Sequence, residues 1–298
     1  MNGVVLIRKE KDFTSFDVVA VVRKILGTKK VGHTGTLDPN ACGLLPVLLG
    51  SATKAQDIIP CHDKRYLADF RFGVATDTLD IWGTVIEEQP SHMTREQLEK
   101  VLDRFRGEIS QLPPMYSAVS VDGKRLYQYA REGKEVERRP RQVAVYELNL
   151  VRFDEESQAG QLDLYCSKGT YVRTLIDDLA HSLGTVGVMT DLLRYEACGY
   201  RLDDAVTLDE LKVLAAAGAV ESAPCWRDVE SLFASYPELI VSEKQAHRFI
   251  NGNPLDVSRT ALRGCSEDKK IYRVKDGSGR FLSLGMVEED QIKLYKHF

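Results

Sequence analysis

The segment from Gly32 to Gly43 constrains the fold of this chain more than any other, because it surrounds one carboxylate with residues that control backbone shape. It reads Gly-His-Thr-Gly-Thr-Leu-Asp-Pro-Asn-Ala-Cys-Gly. Pro39 biases the preceding Asp38 towards an extended conformation. Glycines allow turns that a side chain would forbid, and three of them occur here: Gly32, Gly35 and Gly43. The segment is therefore either an ordinary Asp-Pro turn between two core elements or a shaped loop that presents Asp38.

Helical spacing of apolar residues and capping residues predict three helices. The first covers residues 15–27 and begins at Thr14 or Ser15. The second follows Thr94, which starts a capping box. The third ends at Gly184 and carries Arg173 in or just before its first turn. An arginine in such a place is usually on the surface.

Alternating residues predict strands between these helices. Tyr66 to Phe72 places every second side chain on one face, so Tyr66 could simply be a core aromatic residue. Val143 to Val151 and Gln161 to Cys166 are further strand candidates. Helices and strands mix without a regular β-α-β rhythm, which favours an α+β fold with a mixed, largely antiparallel sheet flanked by helices.

Composition is that of an ordinary globular enzyme. A chain of 298 residues predicts about two domains, and 43% apolar and 28% charged residues suffice for a normal core. No apolar run approaches the roughly 18 residues that a membrane span needs, and no export signal is visible at the N-terminus. The six cysteines form no Cys-x-x-Cys pair and the six histidines show no ligand spacing. We therefore expect a cytoplasmic protein with reduced thiols and no metal site.

The net charge of −4 argues at first against a nucleic-acid partner, but the basic residues are clustered. Residues 123–143 contain seven basic and three acidic side chains, a local charge of +4, with two tyrosines that could stack on bases. A solvated, charged helix face is the alternative. The candidate RNA-binding residues are Lys124, Arg125, Arg131, Arg138, Arg139 and Arg141.

The segment around Asp38 resembles the motif Gly-His-x-Gly-x-Leu-Asp-Pro of the tRNA pseudouridine synthases of the TruB family. Further blocks resemble the same family in the same order, and the likeness is dense from Gly3 to about Leu211. Where family members usually have Asp-Lys-Pro after the first strand, this chain has Arg8-Lys9-Glu10, a departure expected to touch only a structural turn. The other matching blocks are residues 3–7, 14–15, 50–54, 63–66, 76–80, 114–118 and 166–173.

The resemblance implies a pseudouridine-synthase fold with a small C-terminal PUA-like β domain. The expected division is a catalytic domain over residues 1–235, with an RNA-binding insertion at about 111–143, and an RNA-binding domain over 236–298. From about Leu239 the chain has short strand candidates and glycine-bearing turns, as a compact β unit would. A plain stabilising appendage is the alternative for this last part.

The resemblance also implies the roles of the site residues. Asp38 is the expected central catalytic residue, as a nucleophile at the sugar, a nucleophile at the base, or a base that removes a sugar proton. Arg173 would pair with Asp38 and keep it ionised and oriented. Tyr66 would stack on the target base and help to remove its C5 proton. The residues implied to contact or adjoin the target uridine are His33, Tyr66, Tyr171 and Leu192.

The function implied is that of a stand-alone, monomeric tRNA pseudouridine synthase. Its substrate would be the T-arm stem-loop of tRNA, modified at uridine 55. The reaction breaks the C1′–N1 bond and joins C5 to C1′, so no cofactor is expected. Two alternatives remain: a guide-RNA-dependent relative that works within a protein complex, and a tRNA-folding chaperone whose catalysis is secondary. The long insertion at residues 111–143 favours the stand-alone enzyme.

Overall fold

The computed structural model of the protein describes residues 1–298. The α-helices are α1 (Ser15–Leu26), α2 (Arg95–Leu102), α3 (Leu126–Arg131), α4 (Val172–Ser182), α5 (Leu208–Ala216) and α6 (Glu243–Ile250). The strands are β1 (Gly3–Lys9), β2 (Val31–His33), β3 (Cys42–Leu49), β4 (Lys64–Phe72), β5 (Val74–Thr76), β6 (Val85–Glu88), β7 (Gly107–Gln111), β8 (Ser120–Val121), β9 (Lys124–Arg125), β10 (Arg141–Asp154), β11 (Ala159–Cys166), β12 (Gly187–Ala197), β13 (Tyr200–Arg201), β14 (Trp226–Arg227), β15 (Glu238–Ile240), β16 (Leu255–Asp256), β17 (Ile271–Lys275), β18 (Phe281–Glu288) and β19 (Gln291–Lys296).

Ten strands form one large sheet in the order β14-β1-β3-β12-β4-β11-β10-β7, with β2 paired to β3 and β13 paired to β12. All its strand pairs are antiparallel except β3 with β12, which is parallel. The predicted α+β class with a mixed, largely antiparallel sheet is therefore confirmed. This parallel pair places Cys42 and Gly43, at the end of the loop after β2, beside β12 in the middle of the sheet.

The predicted helices and strands are present, some with different ends. Helix α1 is capped by Thr14, whose side chain accepts a hydrogen bond from the Asp17 amide, and it stops at Gly27 in the left-handed conformation. The capping box at Thr94 also forms. Strand β10 is longer than its predicted range and covers residues 141–154, because its pairing with β7 and β11 extends past the alternating core residues.

Two apolar clusters fix the sheet between its helices. One contains inward-facing residues of β4 and α4, among them Tyr66, Phe70, Leu175 and Leu179. The other joins β1 and β3 to α1 and α5. Because α4 packs directly on the sheet beside β4, its first turn and the start of β4 face the same cleft. No helix is long and apolar enough to cross a membrane.

The C-terminal residues form a second, five-stranded sheet in the order β15-β17-β18-β19-β16 with its own apolar cluster. Helix α6 packs in that cluster and was not predicted from the sequence, although Ser242 and Gln245 form a capping box. The small sheet is attached to the rest of the chain by contacts between largely buried side chains. Arg273 pairs with Glu230 at 2.7 Å, and the ring of Phe298 packs on Phe233.

Gly43 closes the loop that carries Asp38, and its replacement tests how tightly the loop is packed. Its φ of +110° is unfavourable for other residues, and an added Cβ would lie 2.2 Å from the Arg194 carbonyl oxygen. Gly27 has a φ of +60° but open space around it. We expect Gly27→Ala to lower the free energy of unfolding by about 1 kcal/mol and Gly43→Ala by more than about 3 kcal/mol, because strain and steric clash add. Urea unfolding measures both, and equal losses would contradict the close packing of this loop.

Candidate active site

Three side chains from other elements form hydrogen bonds with the backbone of the loop between β2 and β3, and Asp38 projects from this loop. The Ser15 hydroxyl, at the start of α1, accepts a hydrogen bond from the Leu37 amide at 2.9 Å. The ammonium group of Lys9, at the end of β1, donates to the Pro39 carbonyl oxygen at 2.9 Å. Arg194, on β12, donates to the carbonyl oxygens of residues 35 and 36. Both backbone neighbours of Asp38 are thus fixed, whereas its carboxylate remains 42% exposed.

Arg173 holds the Asp38 carboxylate in place. It lies in the first turn of α4 and its side chain is only 7% exposed. Its Nη2 is 3.0 Å from Asp38 Oδ2 and its Nη1 is 3.4 Å from Asp80 Oδ2. The same two nitrogens donate to the carbonyl oxygens of Thr78 and Tyr116. A planar guanidinium with fixed donors can serve four acceptors at once, so Arg173 joins three separate loops around Asp38.

Asp80 is a site residue that the sequence reasoning missed. Its block, residues 76–80, was noted as resembling the family, but no role was assigned to it. Burial raises the pKa of Asp80, against the opposing effects of the Thr78 hydroxyl and of Arg173. The sequence contains no direct signal for Asp80. An arginine that pairs with one carboxylate has further donors for a second one, but the burial of Arg173, which makes a second partner necessary, is visible only in the structure.

Tyr66 is both a core aromatic residue and a residue of the cavity wall. It belongs to the apolar cluster under α4 and is only 6% exposed, yet it also lines the cavity at Asp38. Burial raises the pKa of its phenol to about 12, and the charge of Arg194 acts in the opposite direction. Arg194 stands directly across from Tyr66 in the pairing of β4 with β12. The phenol is therefore protonated at neutral pH.

A cavity of about 360 Å³ opens at these side chains. This volume is near the lower end of the roughly 300–1,000 Å³ typical of small-molecule pockets, a size suited to one nucleoside. Its wall brings together five of the predicted residues: Asp38, Tyr66, Tyr171, Arg173 and Leu192. Lys64 and Lys168 also line it, together with His62, whose pKa is lowered by burial and by the charges of these two lysines. No group of His, Cys, Asp and Glu is arranged to hold a metal ion.

Several known proteins are similar to this chain over most of its length. The sequence model for the N-terminal domain of the TruB family of pseudouridylate synthases matches residues 23–172. The tRNA pseudouridine synthase B of Caldanaerobacter subterraneus subsp. tengcongensis is 40% identical over 98% of both chains. That of Stutzerimonas stutzeri is 40% identical over 97% of this chain and 93% of its own, and that of Escherichia coli O139:H28 is 38% identical over 97% and 92%. The chain belongs to the TruB family of pseudouridylate synthases.

Solved structures show that the fold extends over the whole chain. A Cbf5–Nop10–Gar1 complex matches with a TM-score of 0.75 at 22% identity, over 99% of this chain and 84% of that chain. An H/ACA ribonucleoprotein bound to a substrate RNA containing 2′-deoxyuridine matches with a TM-score of 0.75 at 21% identity, over the same shares. The predicted pseudouridine-synthase fold is thereby confirmed for this TruB family member.

His33 lies beside the cavity but not in its wall, which begins at the adjacent Thr34. Its ring packs edge-on against Phe16, with 6.4 Å between ring centroids. Burial, and secondarily the charge of Arg194, lower the pKa of His33, so the imidazole is neutral at neutral pH. Its Nδ1 is buried without a hydrogen-bond partner. A role next to the target uridine stays a prediction for this residue.

The predicted RNA-binding residues fall into two groups. Three are engaged within the protein: Lys124 pairs with Glu132, Arg131 lies over the ring of Tyr127, and Arg138 pairs with a glutamate and donates to a backbone carbonyl. The other three are exposed, as is Arg131: Arg125, whose Nη1 donates to the Ala118 carbonyl oxygen at 3.5 Å, and Arg139 and Arg141. The insertion that carries them is tied to the site, because the Gln111 side chain bonds the backbone of Tyr171.

Lys9 and Arg194 are buried cations that the sequence reasoning also missed. Lys9 was expected to lie in a turn of no consequence for the site, but it is the last residue of β1, 1% exposed, with its ammonium group behind the Asp38 loop. Two more carbonyl oxygens, of Glu10 and Phe13, accept hydrogen bonds from it. Arg194 is fully buried and has only backbone carbonyls as hydrogen-bond partners. Both side chains stabilise the loop by binding its backbone.

Burial lowers the pKa of Lys9 from 10.5 to about 8, and this shift predicts a pH-dependent stability. Between these two pH values the unfolded chain holds a proton that the folded protein has lost, so the free energy of unfolding rises with pH in this window. Relative to Lys9→Met, wild type should gain up to about 1.4 kcal/mol for each unit of pKa difference. Urea unfolding at several pH values measures this, with the exposed Lys24→Met as control. A constant difference between wild type and Lys9→Met would contradict it.

Proposed function

We propose that this pseudouridine synthase acts on tRNA and isomerises uridine 55 in the loop of the T-arm. The observation that carries the proposal is the Asp38 carboxylate, held at the cavity by Arg173 at 3.0 Å. The curated relatives at 38–40% identity are named tRNA pseudouridine synthase B and are matched over 92–98% of their length. The likeness to the Cbf5 structures is weaker, at 21–22% identity, and this difference favours the stand-alone form over the guide-RNA-dependent one.

The chemistry needs few groups because the product is an isomer of the substrate. The C1′–N1 bond breaks, the uracil turns, and C5 bonds to C1′, while one proton leaves C5 and one is gained at N1. An ionised Asp38 can begin this sequence as a nucleophile or as a base. The guanidinium of Arg173 orients the Asp38 carboxylate through a charge-assisted contact. No group from outside the protein and the RNA is consumed.

Tyr66 is suited to the proton transfer that completes the reaction. Its protonated phenol lies in the cavity wall with Asp38. A phenol that gives its proton to the uracil and takes the C5 proton ends the cycle unchanged, so the balance of protons closes. Burial of the hydroxyl raises its pKa and limits exchange with water, and the nearby charge of Arg194 partly offsets this rise.

The cavity can take the target base only if that base leaves the RNA stack. A uracil within a folded loop is out of reach, so it must turn out of the stack into a pocket that holds it by stacking and hydrogen bonds. Tyr66, Tyr171 and Leu192 provide the apolar walls. Lys168 is exposed at the wall of the cavity, where it can meet a phosphate of the same nucleotide. We expect His33, which adjoins Thr34 of the cavity wall, to contact the neighbouring RNA.

Affinity for RNA must come from local basic surface, because the whole chain has a net charge of −4. Arg139 and Arg141 of the insertion are exposed and free to bind phosphates, and the exposed Arg125 and Arg131 can add to this surface. We infer that residues 236–298 form a PUA-like domain that extends this RNA-binding surface beyond the catalytic domain of residues 1–235. The protein would act as a monomer, since one chain contains every residue of the cavity.

Asp38→Asn should abolish isomerisation and leave RNA binding within a few fold of wild type. The amide is nearly isosteric with the carboxylate but can act neither as a nucleophile nor as a base, whereas affinity arises from many phosphate and loop contacts. The measurement is single-turnover formation of pseudouridine in a T-arm stem-loop RNA at saturating enzyme, mapped by mass. Asp57→Asn, at an exposed position, is the matched control and should be fully active.

The same assay separates the function from its alternatives. Pseudouridine formed by the protein alone contradicts a guide-RNA-dependent enzyme. Turnover by Asp38→Asn well above background would remove Asp38 from the mechanism. A tRNA-folding chaperone would be indicated if wild type formed no pseudouridine but still accelerated refolding of the RNA.

A further inference from the structure

The hairpin of β5 and β6 carries a cluster of exposed large apolar side chains, in its turn and at the start of β6. Four of the thirteen exposed large hydrophobic side chains lie within six residues, and one of them is a tryptophan that is 45% exposed. They are Ile81, Trp82, Val85 and Ile86. An exposed cluster of large apolar side chains usually marks a surface that binds something. We call these four side chains the hairpin patch.

The hairpin patch is not loose, because its turn is held by several hydrogen bonds. The Trp82 amide donates to Asp80 Oδ1 at 3.3 Å, and the Thr84 amide donates to Asp77 Oδ1 at 2.7 Å. The Ile81 amide donates to the Met189 carbonyl oxygen of β12 at 2.9 Å. Trp82 is therefore presented from a fixed backbone.

The turn is also continuous with the active site. Asp80, which accepts the hydrogen bond from the Trp82 amide, pairs with Arg173 through its other oxygen. The Thr78 carbonyl oxygen accepts a second hydrogen bond from Arg173. Since Arg173 contacts Asp38 directly, one chain of contacts links Trp82 to the central carboxylate. The backbone of the hairpin patch is thus joined to the active site by three successive contacts, although none of its four side chains lines the cavity.

The charges of the hairpin indicate which part of an RNA could bind there. Residues 74–88 contain no lysine or arginine and four acids: Asp77, Asp80, Glu87 and Glu88. Such a segment repels phosphate, so it cannot act as a backbone clamp. The face of a nucleobase carries no charge and stacks on an indole ring. The cavity holds about one nucleoside, which leaves the bases next to the target outside, at the rim.

We propose that the Trp82 indole stacks on a nucleobase that flanks the target uridine in the substrate RNA. Ile81, on the same turn, would complete the apolar support for that base. The proposal rests on the proposed function, because it places the RNA by its reacting uridine. Trp82 acts as a binding residue that helps to hold the loop open after its target base has turned into the cavity.

The chain offers a direct optical test, because its only tryptophans are Trp82 and Trp226. Trp226 lies on β14, an edge strand of the large sheet. Strands β1 and β3 separate it from β12, which is the strand that contacts the hairpin patch. In a Trp226→Phe protein, titration with a T-arm stem-loop RNA should quench the fluorescence of Trp82 as the RNA saturates. The Trp82→Phe protein is the matched control and should show little change. If Trp226→Phe does not fold, the difference between wild type and Trp82→Phe gives the same signal.

Affinity measurements provide a second test of stacking by Trp82. Trp82→Ala should weaken binding of the same RNA on the order of tenfold, and Trp82→Phe by much less, because a phenyl ring still stacks. The loss should be the same at low and moderate salt, since no counterion is released. Replacing Arg139 and Arg141 by Gln should instead flatten the salt dependence by up to about two contacts, each with a slope of roughly 0.7 to 0.9.

Pseudouridine is measured in the same samples, so failure of the proposal differs from failure of the function. Pseudouridine formed without any change in Trp82 fluorescence, and with unchanged affinity in Trp82→Ala, would overturn the stacking while the function stands. A wild type that forms no pseudouridine would overturn the function and this inference with it. Fluorescence of Trp82 that depends on protein concentration in the absence of RNA would assign the hairpin patch to a second copy of the chain.

Discussion

The buried contact between Arg173 and two carboxylates is the interaction on which the rest of the site depends. Removing a guanidinium from water is costly unless its donors are satisfied, and here four acceptors from three loops satisfy them. The acceptors come from the loop of Asp38, the hairpin that carries Asp80, and the insertion at Tyr116. Arg173 therefore fixes the positions of the Asp38 carboxylate, the hairpin that carries Asp80 and the start of the insertion at residues 111–143 together.

Two further cations support the same loop from behind, and neither has a carboxylate as its hydrogen-bond partner. Lys9 and Arg194 donate to backbone carbonyl oxygens on both sides of Asp38. A polar loop over an apolar sheet would otherwise leave these carbonyls unsatisfied. The cost is visible in the lowered pKa of Lys9. In return, Asp38 is presented from a rigid backbone, although it lies on a loop.

Local sequence patterns were enough for the features that depend on neighbouring residues. Alternation predicted β4 with Tyr66 facing inward, capping residues predicted α1 and α2, and the motif around Asp38 singled out the central carboxylate. The sequence did not predict the roles of Asp80, Lys9 and Arg194, because their partners are distant in sequence and because charged residues are rarely buried. Helix α6 escaped because it is short and largely polar, so its capping box alone could not distinguish it from a turn. The internal contacts of Lys124, Arg131 and Arg138 likewise depend on folding, so the local charge of +4 over residues 123–143 overstated the free basic surface.

The most direct test of this account is the single-turnover rate of Arg173→Lys on a T-arm stem-loop RNA at saturating enzyme. Lysine keeps the charge but lacks the planar fork, so it cannot bind Asp38, Asp80 and two carbonyl oxygens together. We expect a rate lower by orders of magnitude, with RNA binding within a few fold of wild type and a folded protein by circular dichroism. A rate equal to that of wild type would show that positive charge alone suffices and would contradict the central role of this contact.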